Sequence, residues 1–352
     1  MTLTETISAI KPLCENSMRA AERRFQNLAI PLGSLGLLEN AIVQLAGIQR
    51  RTIPEIGRRA AVVFCADNGV VAQGVTQCGW EVTATVTENM NEGKSAVCLM
   101  AARQGMDVYP VDIGVAREVR GDNIIRRKLM YGTRDMTEDS AMTRETCVKA
   151  IETGIEIAGF CAEKGYQVLC AGEMGIGNTT TSAAVSAVFL GRTPEEVVGR
   201  GAGLSSAGLA RKTEAVRKAL ALHKPDPADP IDVLSKVGGL DIAGMAGLYL
   251  GGALHGVPVV MDGVISSVAA LAAARLCPVA GGYILPSHQS AEPVGKLLLE
   301  ALGEKPFLTA GMRLGEGTGA AAAVGVIDLA LAVYREMASF DDAGIEAYQP
   351  LT

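Results

Sequence analysis

Five short apolar runs, most of them closed by Asp, Glu or Gly, punctuate the middle of the chain, with helix-like stretches between them. They are AAVVFCADNG (60–69), MDVYPVDIG (106–114), GYQVLCAGE (165–173), GVPVVMDG (256–263) and KPFLTAGM (305–312). Runs this short, without a helical period, read as buried strands. Strands alternating with helices predict an α/β fold, an open parallel sheet flanked by helices with right-handed crossovers. Ligands in such sheets bind beyond the carboxyl ends of the strands. The residues that follow each run are therefore where chemistry is expected.

The ends of the chain read differently. No strand signal precedes Ala60. Ser17 to Leu28 is amphipathic, and Ser34 is expected to cap a helix carrying Leu35, Leu38, Ile42 and Leu45 at three- and four-residue steps. Lys224 to Pro230 reads as a long turn between helices, and the last helix is predicted from about Gly319 to Met337. A tail from Ser339 to Thr352 is expected to return to the N-terminal helices.

Composition sharpens the picture. Aromatic residues make up only 4% of the 352 residues, whereas there are 41 glycines. The core must then be aliphatic, with backbones in close approach, which suits helices on a parallel sheet. A net charge of -6 and the short basic run Arg126-Arg127-Lys128 lack the electrostatic footprint of nucleic-acid binding. Eight cysteines form no CxxC, and most lie in apolar runs, so they read as buried reduced thiols of a cytoplasmic protein. The N-terminus has no basic segment followed by an apolar one, so no signal peptide is expected. Ala320 to Tyr334 is the most membrane-like stretch, but it is short and Asp328 interrupts it, so it reads as a buried helix and no membrane association is expected.

Three polar segments stand out, two after predicted strands and one between an apolar run and a helix. AGEMGIGNTTT (171–181) opens a helix near Thr179; Gly175 and Gly177 let the backbone approach a phosphate, and Asn178, Thr179 and Thr180 supply polar contacts at a helix N-terminus. The third glycine of a dinucleotide fingerprint would fall at Thr180, which argues against a nicotinamide-dependent oxidoreductase. RLGEGTG (313–319) places Glu316 between glycines before an apolar helix, where a positioned carboxylate can act as a general base. LPSHQSAEP (285–293) offers His288, Gln289 and Ser290 to ribose or phosphate. Asp67, Asn68 and Asp262 lie at further strand ends. Gly93-Lys94-Ser95 imitates the end of a Walker A motif, yet its first glycine would fall at Glu88, inside a predicted helix from Val82 to Asn89. Three scattered histidines lack ligand spacing, so neither metal nor cofactor is expected.

Taken with PLGSLG (31–36), ADNG (66–69), GRGAG (199–203) and GGLD (238–241), these motifs occur in the order seen in nicotinate mononucleotide:5,6-dimethylbenzimidazole phosphoribosyltransferases, which the chain resembles from about residue 30 to 337. The resemblance implies a large parallel α/β catalytic domain, residues 59–337, and a small helical domain built from 1–58 plus 338–352. It implies that Glu316 matches the catalytic base and that Glu173 and Lys212 support activity. From the residues alone Lys212 reads as a solvated lysine. It further implies that Gly175, Ile176, Gly177, Asn178, Thr179, Thr180, Gly203, Asp262 and Ser290 hold the phosphate and ribose. Gln77, Trp80 and Leu314 are then expected in the pocket of the acceptor base. The substrates implied are nicotinate mononucleotide and a benzimidazole, in a homodimer. One departure stands out. Where many members carry an aromatic-Pro pair in that pocket, this chain reads VTQCGWEV (75–82). Relatives that take phenolic acceptors exist, some as paired homologous chains, so a phenol acceptor or a heterodimer with a paralogue, even as its non-catalytic subunit, is the alternative.

Overall fold

At the centre of the structure, a computed structural model that describes residues 1–348, lies β1 (Arg59–Ala66), with all eight residues buried. It pairs in parallel with β2 (Met106–Gly114) on one side and with a later strand, Val168–Met174, on the other. The short strand β3 (Ile125–Arg126) borders β2. Val168–Met174 is β4, followed outward by β5 (Val259–Val260) and β6 (Ile284–Leu285), so the order is β3-β2-β1-β4-β5-β6, all parallel. Both faces are covered, which is why the strands read as mostly apolar runs.

The helices are α1 (Leu3–Ala9), α2 (Glu15–Asn27), α3 (Leu37–Gln49), α4 (Glu81–Asn91), α5 (Ala96–Arg103), α6 (Arg144–Glu163), α7 (Asn178–Leu190), α8 (Pro194–Val197), α9 (Ser206–His223), α10 (Pro230–Val237), α11 (Leu240–His255), α12 (Val264–Leu276), α13 (Gly295–Leu302), α14 (Thr318–Glu336) and α15 (Phe340–Ala343). Helices α6 and α11 lie backbone to backbone over one face: a Cβ on Gly154 would stand 1.9 Å from the Gly244 carbonyl oxygen, and one on Gly247 would stand 1.9 Å from that of Ile151. The glycine-rich, aromatic-poor composition thus pays for close helix approach. On the other face, α14 packs with α3 and α5; its Asp328 pairs with Arg59 at the start of β1 at 2.9 Å. Arg24 of α2 donates to the Tyr334 carbonyl at 2.9 Å, and Leu28 bridges Ser339 antiparallel, so the chain ends meet. Residues 349–352 of the expected tail lie outside the described residues.

Several expectations need correction. The segment 305–312 is not a strand of the sheet. Leu308 makes a single parallel bridge to His288, and the place beside β5 is taken by β6, which the turn after α12 delivers there. Pro306 and Gly311, at φ +66°, prevent a longer ladder. Gly36, at φ +56°, and not Ser34, precedes α3. Arg126 belongs to the edge strand, while Arg127 and Lys128 pair with Glu156 and the buried Asp112. Cys78 is exposed and Cys14 half-buried; the other six cysteines are buried, and all eight are free thiols.

The strand order reverses between β1 and β4. Chain crossovers leave that point in opposite directions and open a crevice above the carboxyl ends of these two strands.

Candidate active site

A cleft of about 320 Å³ occupies this crevice. Its floor is the turn that links β4 to α7. Gly177 adopts φ +93° at the helix cap, a conformation that favours glycine. The Ile176 peptide is pinned on both sides: its N–H donates to Thr83 Oγ1 at 3.0 Å, and its carbonyl accepts from Asn68 Nδ2 at 3.4 Å. The N–H groups of Gly177 and Thr179 have no acceptor among the described residues. Unpaired first-turn amides at the positive end of a 13-residue helix form an anion cradle.

The opposing wall is a second turn, Gly315-Glu316-Gly317, with φ of +88°, +62° and +94°. Arg50 and Lys224 also have positive φ, but they cap helix C-termini, where this is common. Glu316 does not, and it carries a backbone cost of about 1–3 kcal/mol. Asp262, at the end of β5, holds the turn: its carboxylate accepts the N–H groups of Gly317 at 3.2 Å, Gly319 at 2.6 Å and Ala320 at 3.1 Å. The N-terminus of α14 is therefore plugged by protein, in contrast with that of α7. The Glu316 carboxylate itself accepts the Val97 N–H at 3.0 Å.

The second turn packs against the end of β4, the strand that leads into the first. A Cβ on Gly172 would lie 2.4 Å from the Glu316 carbonyl oxygen, and one on Gly315 would lie 2.5 Å from Glu173 Oε1. Glycine at both positions lets the Glu316 turn press onto the end of β4, next to the anion cradle, and both turns line the same cleft.

Beneath them lies a buried acid pair. Asn178 gives one hydrogen bond from its amide to Glu173 and another to Asp241, at 2.9 Å. Burial, and then the charge of Asp241, push the Glu173 carboxyl up to about 8; burial brings Asp241 to about 6. Asp262 is also raised by burial, against the pull of His288 and the three amides. Lys212 is wholly buried on α9 and burial lowers it to about 8. Its ammonium donates to Thr179 Oγ1 at 2.7 Å and to the Gly199 carbonyl at 3.1 Å. Among the described residues no group of three or more His, Cys, Asp or Glu side chains is placed to hold a metal ion.

Residues 10–345 match the phosphoribosyltransferase family. The chain belongs to that family. It is 49% identical over 351 residues to the nicotinate-nucleotide–dimethylbenzimidazole phosphoribosyltransferase of Ruminiclostridium cellulolyticum, covering 100% of both chains. It is 48% identical to the enzyme of the same name from Acetivibrio thermocellus, covering 99% of each. The crystal structure of CobT from Thermus thermophilus matches with a TM-score of 0.90 at 39% identity, over 95% of this chain and 100% of that one.

A phosphoribosyltransferase must grip a phosphate and address the anomeric carbon of the same sugar, and most of the expected residues converge on one place. Glu316, Glu173, Gly175, Ile176, Gly177, Asn178, Thr179, Gly203, Asp262, Ser290, Gln77 and Leu314 all line the cleft. Others do not. Thr180 is fully buried behind the cradle, with no partner for its hydroxyl among the described residues, because α7 turns it into the core. Trp80 caps α4 and is 46% exposed outside the cleft; Val75, Cys78 and Val86 line that wall instead. Lys212 lies under the cleft and not in it, and it is not solvated. The oxygens of Asp262 are occupied by backbone amides, so this residue shapes the Glu316 turn. The N–H of Ile176 is used by Thr83. Sequence reasoning gave no role to Arg200 and Arg313, which line the cleft beside the glycine-rich segments; a cation flanking each segment was the available signal. Nothing in the sequence pointed to the Val97 amide.

Proposed function

We propose that the protein transfers the phosphoribosyl group of nicotinate mononucleotide to 5,6-dimethylbenzimidazole or a related benzimidazole, yielding the α-ribotide 5′-phosphate for the lower nucleotide of cobamides. The observation that carries this reading is that the α7 cradle and the Glu316 turn, which presses onto the end of β4, line one cleft at the strand-order switch. The cradle suits the 5′-phosphate, with Thr179 held from below by Lys212. The nicotinate nitrogen is already cationic, so it departs with the bonding electron pair as C1′ gains oxocarbenium character. One acceptor nitrogen attacks C1′ from the opposite face while Glu316 takes the proton from the other. Such proton transfer contributes about 10²–10⁴-fold, and orientation adds more.

Incubating the protein with nicotinate mononucleotide and a panel of benzimidazoles and phenols, with mass spectrometry of the ribotides, tests the reading. A benzimidazole ribotide and free nicotinate are expected; no ribotide with any acceptor would overturn it. Glu316→Gln is expected to keep nucleotide binding and lose turnover by about 10²-fold or more.

The reading carries with it a cytoplasmic dimer, and a helical subdomain of residues 1–58 with 338–352. The Leu28–Ser339 bridge supports the second. The exposed Leu99 and Leu329, on the adjoining helices α5 and α14, supply apolar surface for a subunit contact.

A further inference from the structure

The Glu316 carboxylate has two oxygens, and among the described residues only Oε2 has a donor. That donor is the N–H of Val97, second residue of α5, a helix whose first turn is capped by Ser95. The peptide chain reaches this point through the tight turn at Gly93, φ +71°, while Lys94 is occupied by Glu92. The Gly93-Lys94-Ser95 segment, which imitates a nucleotide-binding motif, therefore serves to start α5.

We infer that the N-terminus of α5 is a positioning device for the catalytic carboxylate: the Val97 N–H fixes Oε2, so that Oε1 faces the acceptor. This inference rests on the reading of Glu316 as base. Three constraints of separate origin meet on the one side chain. The left-handed backbone at Glu316 sets the direction in which it leaves the turn. Asp262 holds the following amides from behind. The first-turn amide of α5 holds the carboxylate from in front. A glutamate without the third would rotate about its terminal bonds, and the attacking geometry would be populated only part of the time. Small losses of alignment are costly in turnover. Val97 touches no substrate in this scheme and acts only through Glu316.

The test deletes one N–H. Replacing the Val97 peptide nitrogen by an ester oxygen, in the full chain, removes the donor and keeps the side chain. The same replacement at Ala96, whose N–H has no acceptor among the described residues, is the control. Val97→Pro serves if the ester chain does not fold, since proline is tolerated in a first helical turn. The Val97 ester is expected to lower kcat about 10–100-fold with KM for nicotinate mononucleotide within about twofold. In the Glu316→Gln background the ester should cost nothing further, because a group acting through another is not additive with it. Unchanged kcat in the ester, with Glu316→Gln inactive, overturns the role of α5 alone. An equal further loss in the Glu316→Gln background also overturns it. Near-normal turnover in Glu316→Gln removes the base, and this inference with it.

Discussion

The Lys212 ammonium lies 2.7 Å from the Thr179 hydroxyl, beneath the first turn of α7, with no exposure to solvent. It places a positive charge behind the phosphate cradle without entering the cleft. Lys212→Met should raise KM for nicotinate mononucleotide about tenfold or more, since a charge-assisted partner of the cradle is lost. Its effect on stability has a definite sign. Burial holds the folded pKa at about 8, below the ordinary lysine value of about 10.4. Between these values the unfolded chain binds the extra proton, so the lysine makes stability climb as pH rises from about 8 to 10; below 8 both states are protonated and it contributes no slope. Urea denaturation should show that climb in the native protein, relative to Lys212→Met, by up to about 3 kcal/mol. Parallel stability curves in the two proteins would refute it.

Glu173 has the opposite behaviour. Its folded pKa of about 8 lies above the ordinary carboxyl value, so the folded state keeps a proton that the unfolded state releases. Its contribution is fully present below about 4.5 and is lost as pH rises through 8. Glu173→Gln cannot release a proton. The variant should match the native protein near pH 4.5 and exceed it in stability by a few kcal/mol at pH 8, while turning over more slowly. A native protein that is the more stable of the two at pH 8 would contradict the buried, protonated carboxyl.

The α6–α11 contact leaves no room for a methyl group. A Cβ on Gly247 meets the Ile151 carbonyl oxygen at 1.9 Å, and backbone cannot move aside as a side chain can. Gly247→Ala should cost about 3 kcal/mol or more, measured by urea denaturation. Gly281→Ala, whose nearest neighbour is Ala274 at 3.8 Å, should cost less than about 1 kcal/mol. Equal costs at the two positions would remove close backbone packing as the reason for the glycine content.

Much of this was legible in the residues. β1, β2 and β4 announce themselves because strands covered on both faces are mostly apolar, and the two glycine turns mark the places where a backbone must bend or be approached. What could not be read depends on neighbours distant in sequence. Phe307 and Leu308 have strand composition but arrive after Ile284–Leu285 has filled the edge beside β5. Lys212 looks solvated until α9 is placed over Gly199 and Thr179. Thr180 belongs to a polar run, yet the 100° step of a helix carries it away from the cleft that Thr179 faces. The Val97 contribution is a backbone amide and leaves no trace in residue identity.

The strain at Glu316 yields a prediction that separates stability from chemistry. A non-glycine residue at φ +62° carries a cost of about 1–3 kcal/mol that glycine avoids. Glu316→Ala loses the carboxylate and keeps the strain; Glu316→Gly loses the carboxylate and relieves it. Both also lose the hydrogen bond from Val97, so the comparison between them isolates the backbone. Glu316→Gly should be the more stable by about 1 kcal/mol in urea denaturation, although it adds freedom to the unfolded chain. Both should show the same deep loss of turnover. Recovery of activity in the relaxed glycine variant would mean that the backbone geometry, and not the carboxylate, carries the chemistry. Equal stability of the two variants would mean that the left-handed conformation at this position is relaxed and that the clamp at Asp262 has nothing to hold.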